Sequence, residues 1–198
     1  MKVAALPFVV MCAVIMVLPS AGVAMGQSNI AGQSATPSRE ELAKLQATMP
    51  SDEEISELLA KADEKVSVFE QAVRLAKPFL DKIDTKYATN YLDAASTAHY
   101  LIQATNKNGT SAYRLVGVLT TLDDLSYDAA TGSVFLMGMN AGHTEQGKSP
   151  DLAAQGALIT LTASGTACND IAALLMHATL RFVDVEEKLL GMLLPKDS

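Results

Sequence analysis

The stretch SDEEISELLAKADEKVSVFEQAVRLAKPFLDKI, residues 51–83, decides the fold. Ser51 and Glu54 form the capping-box pattern that starts a helix, and the acidic residues between them suit its positive end. Apolar residues then recur at alternating spacings of four and three, which places them on one narrow helical stripe. The stripe consists of Ile55, Leu59, Ala62, Val66, Phe69, Val73, Ala76, Leu80 and Ile83. It predicts a seam against one or two neighbouring helices, and Pro78 predicts a kink that leaves the seam intact.

A second helix is predicted from about Thr85 to Lys107, with two apolar stripes side by side. One stripe consists of Tyr87, Tyr91, Ala94, Ala98 and Leu101, and the other of Leu92, Ala95, His99 and Ile102. Gly109 stops this helix, because glycine adopts positive φ without strain. Thr110 or Ser111 is then expected to cap a further helix. Its predicted apolar face is Leu115, Val116, Leu119, Leu122 and Leu125.

The last helix is predicted over residues 169–194, with Asn169-Asp170 as its cap and Pro195 after its end. Its predicted face is Ile171, Leu174, Ala178, Phe182, Val185, Leu189 and Met192. Between residues 129 and 165 two interpretations are open. Residues 128–132 fit a hairpin turn that leads into a strand over 133–139, and residues 157–163 alternate like a second strand, which together would make a small hairpin. We favour helix, because a stripe of small residues also fits one helix face: Ala153, Gly156, Thr160, Ala163 and Ala167.

The N-terminus has the order of a secretory signal peptide. Lys2 precedes an apolar run that ends near Pro19, and small residues follow as far as Ala24. We therefore expect a signal peptide over 1–24, whose cleavage leaves no stable membrane anchor, and an exported protein that is periplasmic or secreted. Residues 25–50 are predicted to be a flexible linker containing one short helix, which begins at Ser38.

These patterns predict an all-α protein, an antiparallel bundle of four to five helices over 51–194 with a C-terminal tail at 195–198. The alternative is an α+β fold with the small hairpin inside 129–165. The chain is 49% hydrophobic and has a net charge of -7 with a pI near 4.9. That acidity argues against nucleic-acid binding, which needs an excess of Lys and Arg on one face. Cys168 is the one thiol left after cleavage, and its small neighbours predict a buried packing residue.

Residues 142–149, GHTEQGKS, match the Walker A pattern of nucleotide-binding loops. In such a loop Lys148 would neutralise phosphates and Ser149 would hold Mg²⁺. Pro150 and the helical spacing of most of the chain argue against it, because a P-loop fold needs several parallel β-strands. We therefore expect a polar loop between helices and regard a P-loop enzyme as the unfavoured alternative.

No catalytic or metal-binding residues are predicted. None of His99, His143 and His177 follows an acidic residue at the spacing of bundle di-metal sites, and His99 and His177 are expected at the edge of the core. Asp123, Asp124 and Asp128 are expected on a solvated helix face.

The favoured function is a non-catalytic exported binding or interaction protein that needs no cofactor. Its partner would be a protein or a small ligand. The alternative is a small-ligand or haem carrier with a pocket inside the bundle.

Overall fold

A computed structural model describes residues 38–193, and 86% of them are helical. The five helices are α1 (Arg39–Gln46), α2 (Asp52–Leu80), α3 (Tyr87–Asn108), α4 (Ala112–Glu145) and α5 (Leu152–Leu193). This part of the chain contains no strand, so the all-α prediction is confirmed. The alternative hairpin within 129–165 is wrong, because α4 continues through Glu145 and α5 starts at Leu152. The expected signal peptide and the C-terminal tail lie outside the described residues.

The four long helices form a bundle in which each helix packs against the next one along the chain, and α5 packs back against α2. α2 contacts α3 and α5, and α4 contacts the same two helices from the opposite side. The connections 81–86, 109–111 and 146–151 are short, so successive helices run antiparallel. α1 lies before the bundle and has no buried residue.

Capping side chains fix where the helices begin. The Ser51 side chain accepts a hydrogen bond from the backbone N–H of Glu54, which is one half of the predicted capping box, while the Glu54 carboxylate pairs with Arg181 of α5. Ser111 caps α4 by accepting from the backbone N–H of Arg114. Asp151 caps α5 by accepting from the backbone N–H of Ala153, at 3.0 Å. The predicted cap at Asn169-Asp170 is wrong. Both residues lie inside α5 and are exposed there, where their polar side chains remain in water.

The predicted seam of α2 is buried over almost its whole length. Every stripe member from Ile55 to Leu80 is buried, whereas Ile83 is 42% exposed because α2 ends at Leu80. Pro78 lies two residues before that end. Loss of its N–H therefore affects only the last turn, and the seam is unaffected.

In α3, α4 and α5 some of the buried residues differ from the predicted ones by one or two positions. In α3 the buried residues Tyr91, Ala95, Ala98 and Ile102 come from both predicted stripes. In α4 Val118 is buried and Val116 is exposed, and in α5 Leu175 is buried in place of Leu174. Consecutive residues lie about 100° apart around a helix. In a helix with apolar residues on several sides, a neighbouring residue can therefore take the buried position with little loss of buried apolar surface.

The expected small-residue face of α5 is also displaced. Ala153, Gly156 and Ala163 are exposed, and most of the buried small residues lie one position further along the chain, about 100° around the helix. These buried residues are Ala154, Ala157, Ser164, Gly165 and Cys168. At Gly165 the helices α4 and α5 lie so close that an added Cβ would be 2.5 Å from the Cβ of Ala129 on α4.

Candidate functional site

The segment with the Walker A pattern is the C-terminal end of a helix. Gly142 to Glu145 form the last turn of α4. The N–H groups of Gln146, Gly147 and Lys148 all donate back to carbonyls of that turn, so they are not free to bind phosphate. The Lys148 ammonium donates to the Gln146 side chain at 2.8 Å. A helix C-terminus carries the negative end of the helix dipole, which opposes an anion.

The three histidines lie in different environments and do not form a cluster. His99 of α3 is half-buried and its Nδ1 lies 2.6 Å from a carboxylate oxygen of Asp63 on α2, which ties the two helices together. His143 lies in the last turn of α4. His177 is exposed, which corrects its expected place at the edge of the core. Residues 38–193 contain no group of three or more His, Cys, Asp or Glu side chains that would hold a metal ion.

One of the three aspartates on α4 is not on a solvated face. Asp123 and Asp124 are exposed, but Asp128 is half-buried. Burial, with a smaller effect of the neighbouring Asp124 charge, raises the pKa of Asp128 to about 6. Burial likewise raises the pKa of Tyr91 on α3 to about 12, with the Asp128 charge adding to it. The Tyr91 hydroxyl is buried and has no hydrogen-bond partner among the described residues.

A general acid or base must reach its substrate through a cleft. Asp128 is not among the residues that line either of two grooves on the described surface, one between Leu119 and Met176 and one between Asp52 and Thr110. The Asp128–Tyr91 neighbourhood is instead packed by aromatic rings. The Tyr87 ring centroid lies 6.2 Å from that of Tyr91 and 5.0 Å from that of Phe135.

Cys168 is a packing residue, as predicted. It is fully buried in α5, with its sulfur 4.0 Å from the carbonyl oxygen of Lys65. Burial raises the pKa of its thiol to about 11, and the charge of Lys65 offsets only part of this. The reactive thiolate is therefore scarce at neutral pH.

The most unusual surface lies on the outer side of the α4–α5 pair. Residues 129–144 of α4 and 152–169 of α5 contain no Asp, Glu, Lys or Arg. Four large apolar side chains are nevertheless exposed there. Val134 at 59%, Met137 at 50% and Ile159 at 69% lie within the helices, and Leu152 at 80% is the first residue of α5. Exposed small residues, Ala130 and Ala163, lie on the same two segments. We call the exposed side chains of 129–144 and 152–169 the outer face.

Helix register brings these residues together. The Ser133 and Thr162 hydroxyls lie 2.9 Å apart and join the two helices side by side. Val134 follows Ser133 directly, and Ile159 lies one turn before Thr162. Both therefore project beside this hydrogen bond toward solvent, as their exposure shows. Met137 lies one further turn along α4, next to Val134.

The outer face continues into a shallow groove toward the other end of the pair. This groove has a volume of about 310 Å³ and is lined by Leu119, Thr120, Asp123, Asn169, Ala172, Ala173 and Met176. Its lining includes the charged residue Asp123, so the uncharged surface ends there. Leu180, one turn beyond Met176 on α5, is also exposed.

α5 is long and apolar enough to cross a membrane by length and composition, over Leu152–Met192, within which an 18-residue window has a mean hydropathy of 1.3. Core helices of soluble proteins have the same properties. One side of α5 packs on α2 and α4 throughout the bundle, and Asp170 stands near its middle.

No family model, curated protein or solved structure matches this chain. The candidate site therefore depends on its own geometry. The sequence analysis missed the outer face, because each helix was assessed for the residues it buries. The signal was nevertheless present in the sequence, as two uncharged runs separated by only seven residues, 145–151.

Proposed function

We propose that the protein is an exported, non-catalytic helical binding protein, and that the outer face of α4–α5 is its binding surface. The observation that carries the proposal is the exposure of Val134, Met137 and Ile159 on helical segments without a charged residue. Contiguous exposed apolar patches on soluble proteins usually mark interaction sites.

The energetics favour covering this face. Burying a large aliphatic side chain that was exposed contributes about 1.5–3 kcal/mol. Three such side chains with their small neighbours can therefore supply several kcal/mol, and no charged group has to be desolvated on this side of the contact. The helices beneath are held by the packed core, so little ordering is lost on binding.

Paired charge substitutions test this proposal. Ile159→Glu places a charge at the centre of the outer face, and Leu75→Glu places one at an exposed apolar position on α2. We expect chemical cross-linking in the native compartment to yield a specific adduct with wild type and with Leu75→Glu, but not with Ile159→Glu. Equal adduct formation by all three proteins would overturn the proposal.

Export is the second part of the proposal, and it is supported by the basic, apolar and small-residue order of residues 1–24. The intact mass of protein recovered from outside the cytoplasm should correspond to a chain that starts near Met25. A mass that includes residues 1–24, or confinement to the cytoplasm, would contradict this part alone.

A further inference from the structure

We infer that the occupant of the outer face is a second copy of this chain, packed on it across a two-fold axis. This inference rests on the proposed function and adds the identity of the partner. The two copies would bring α4 and α5 of one subunit against α4 and α5 of the other, which makes a four-helix contact. A two-fold interface joins the same patch on both subunits, so the patch must be complementary to itself.

Charge is the first argument for self-association. The chain has a net charge of -7, so two copies repel each other over most orientations. The outer face is where that repulsion is smallest, because residues 129–144 and 152–169 carry no charged side chain. A second copy presents the same uncharged apolar surface and therefore matches it.

The same charges disfavour other occupants. A strongly basic partner would bind an acidic surface in preference to an uncharged one. An anionic lipid surface attracts clusters of Lys and Arg, whereas the charged residues that flank these two segments in the sequence are four acidic ones and one basic one: Asp128, Glu145, Lys148, Asp151 and Asp170. A neutral apolar protein surface fits both the composition and the charge, and the chain itself supplies one.

The dimensions and the small side chains of the face suit a small, reversible dimer interface. Its α5 segment of 18 residues is about 27 Å long at a rise of ~1.5 Å per residue. Two helices about 10 Å apart give a width of about 20 Å. The flat area of the face is therefore about 540 Å² per copy, below the about 800 Å² of a standard interface and in the range of small, reversible ones. Exposed Ala130 and Ala163 let the facing helices approach closely, while Val134, Met137 and Ile159 provide the apolar contacts.

The test is sedimentation equilibrium of the purified mature chain over about 1–100 µM, the range of ordinary specific dimers. We expect wild type and Leu75→Glu to have the mass of a dimer, with association strengthened by added salt as the like charges are screened. Ile159→Glu and Val134→Glu should associate at least about tenfold more weakly, each with an unchanged helical circular dichroism spectrum. A wild type that stays monomeric throughout this range overturns the inference.

A disulfide cross-link tests the two-fold geometry separately. Ala163 lies near the middle of the α5 segment of the outer face, and an axis through the middle of the face brings such a residue close to its own copy. Under mild oxidation Ala163→Cys should therefore give a covalent dimer, whereas Gln71→Cys on α2 should not. Equal cross-linking of both variants would contradict the inference. The dimer inference can fail while the proposed function holds. In that case the protein is monomeric but still forms a cross-linked adduct that Ile159→Glu abolishes, and the outer face binds a different partner. If Ile159→Glu changes neither the sedimentation mass nor the cross-linked adduct, both proposals are rejected.

Discussion

Gly165 of α5 packs so closely on Ala129 of α4 that a methyl group added to the glycine would lie 2.5 Å from the Ala129 Cβ. Neither atom could move aside, because one belongs to alanine and the other would be fixed to the helix backbone. The α4–α5 spacing, and with it the shape of the outer face, therefore depends on a glycine at this position.

Gly165→Ala should consequently destabilise the bundle by about 1–3 kcal/mol, the usual cost of overpacking a core. Gly117→Ala on α4, outside the outer face, is the matched control, since an added Cβ there meets no atom within 4 Å. That control should be neutral or stabilising by up to about 1 kcal/mol, because alanine is the better helix former. Urea unfolding measures both, and equal effects of the two substitutions would show that the contact is not tight.

The seam of α2 provides the second prediction. Phe69 is fully buried at its centre, with its ring centroid 6.5 Å from that of Tyr91. Phe69→Ala should lower the free energy of unfolding by about 3–5 kcal/mol, because lost transfer energy and a residual cavity add. Gln71→Ala, exposed on the same helix, should change it by less than about 0.5 kcal/mol. A small effect of Phe69→Ala would mean that the seam is not a core.

The half-buried carboxyl of Asp128 predicts a pH dependence of stability. Its pKa is raised from 3.8 to about 6 in the folded protein, so the folded state binds the proton more tightly than the unfolded chain. The stability from this proton is fully present below about pH 4 and is lost as pH rises through about 6. The full shift corresponds to about 3 kcal/mol, and solvent screening at a half-exposed group reduces this to about 1 kcal/mol.

Asp128→Asn removes that titration. The variant should be more stable than wild type at pH 7, and it should lose less stability than wild type when the pH is raised from 5 to 7. Unfolding by urea at the two pH values measures both effects. Parallel pH profiles for variant and wild type would mean that Asp128 is fully solvated.

Burial of Cys168 predicts that its thiol reacts slowly with alkylating reagents. With its pKa near 11 and its side chain enclosed by α2 and α5, Cys168 should react with iodoacetamide at pH 8 far more slowly in the folded protein than in urea. Peptide mass spectrometry identifies the modified residue. Rapid labelling of the folded protein would show that this part of the core opens frequently.

Sequence patterns predicted the helices better than their faces. Heptad spacing located the buried side of α2 because its polar residues exclude any other side, as Lys61 and Gln71 illustrate. In α4 and α5 the surface is apolar as well, so periodicity does not distinguish Leu174 from Leu175. The continuity of α5 through residue 169 was also missed, because Asn169-Asp170 resembles a helix start when only local signals are considered.

The outer face could not be predicted from periodicity, because that method assigns apolar residues to the core. Ile159 and Val134 are apolar yet exposed. Only the tertiary pairing of α4 with α5, fixed by Gly165 and by the Ser133–Thr162 hydrogen bond, shows that they share a surface.

The most direct measurement of whether this face is covered is methionine oxidation of the mature chain in its assembled form. Met137 is half exposed on the outer face of an isolated subunit, and Met192 at the far end of α5 provides an internal reference. We expect dilute hydrogen peroxide to oxidise Met137 several-fold more slowly, relative to Met192, in wild type than in Ile159→Glu. Equal relative rates in the two proteins would contradict the account, because they would mean that nothing covers the outer face.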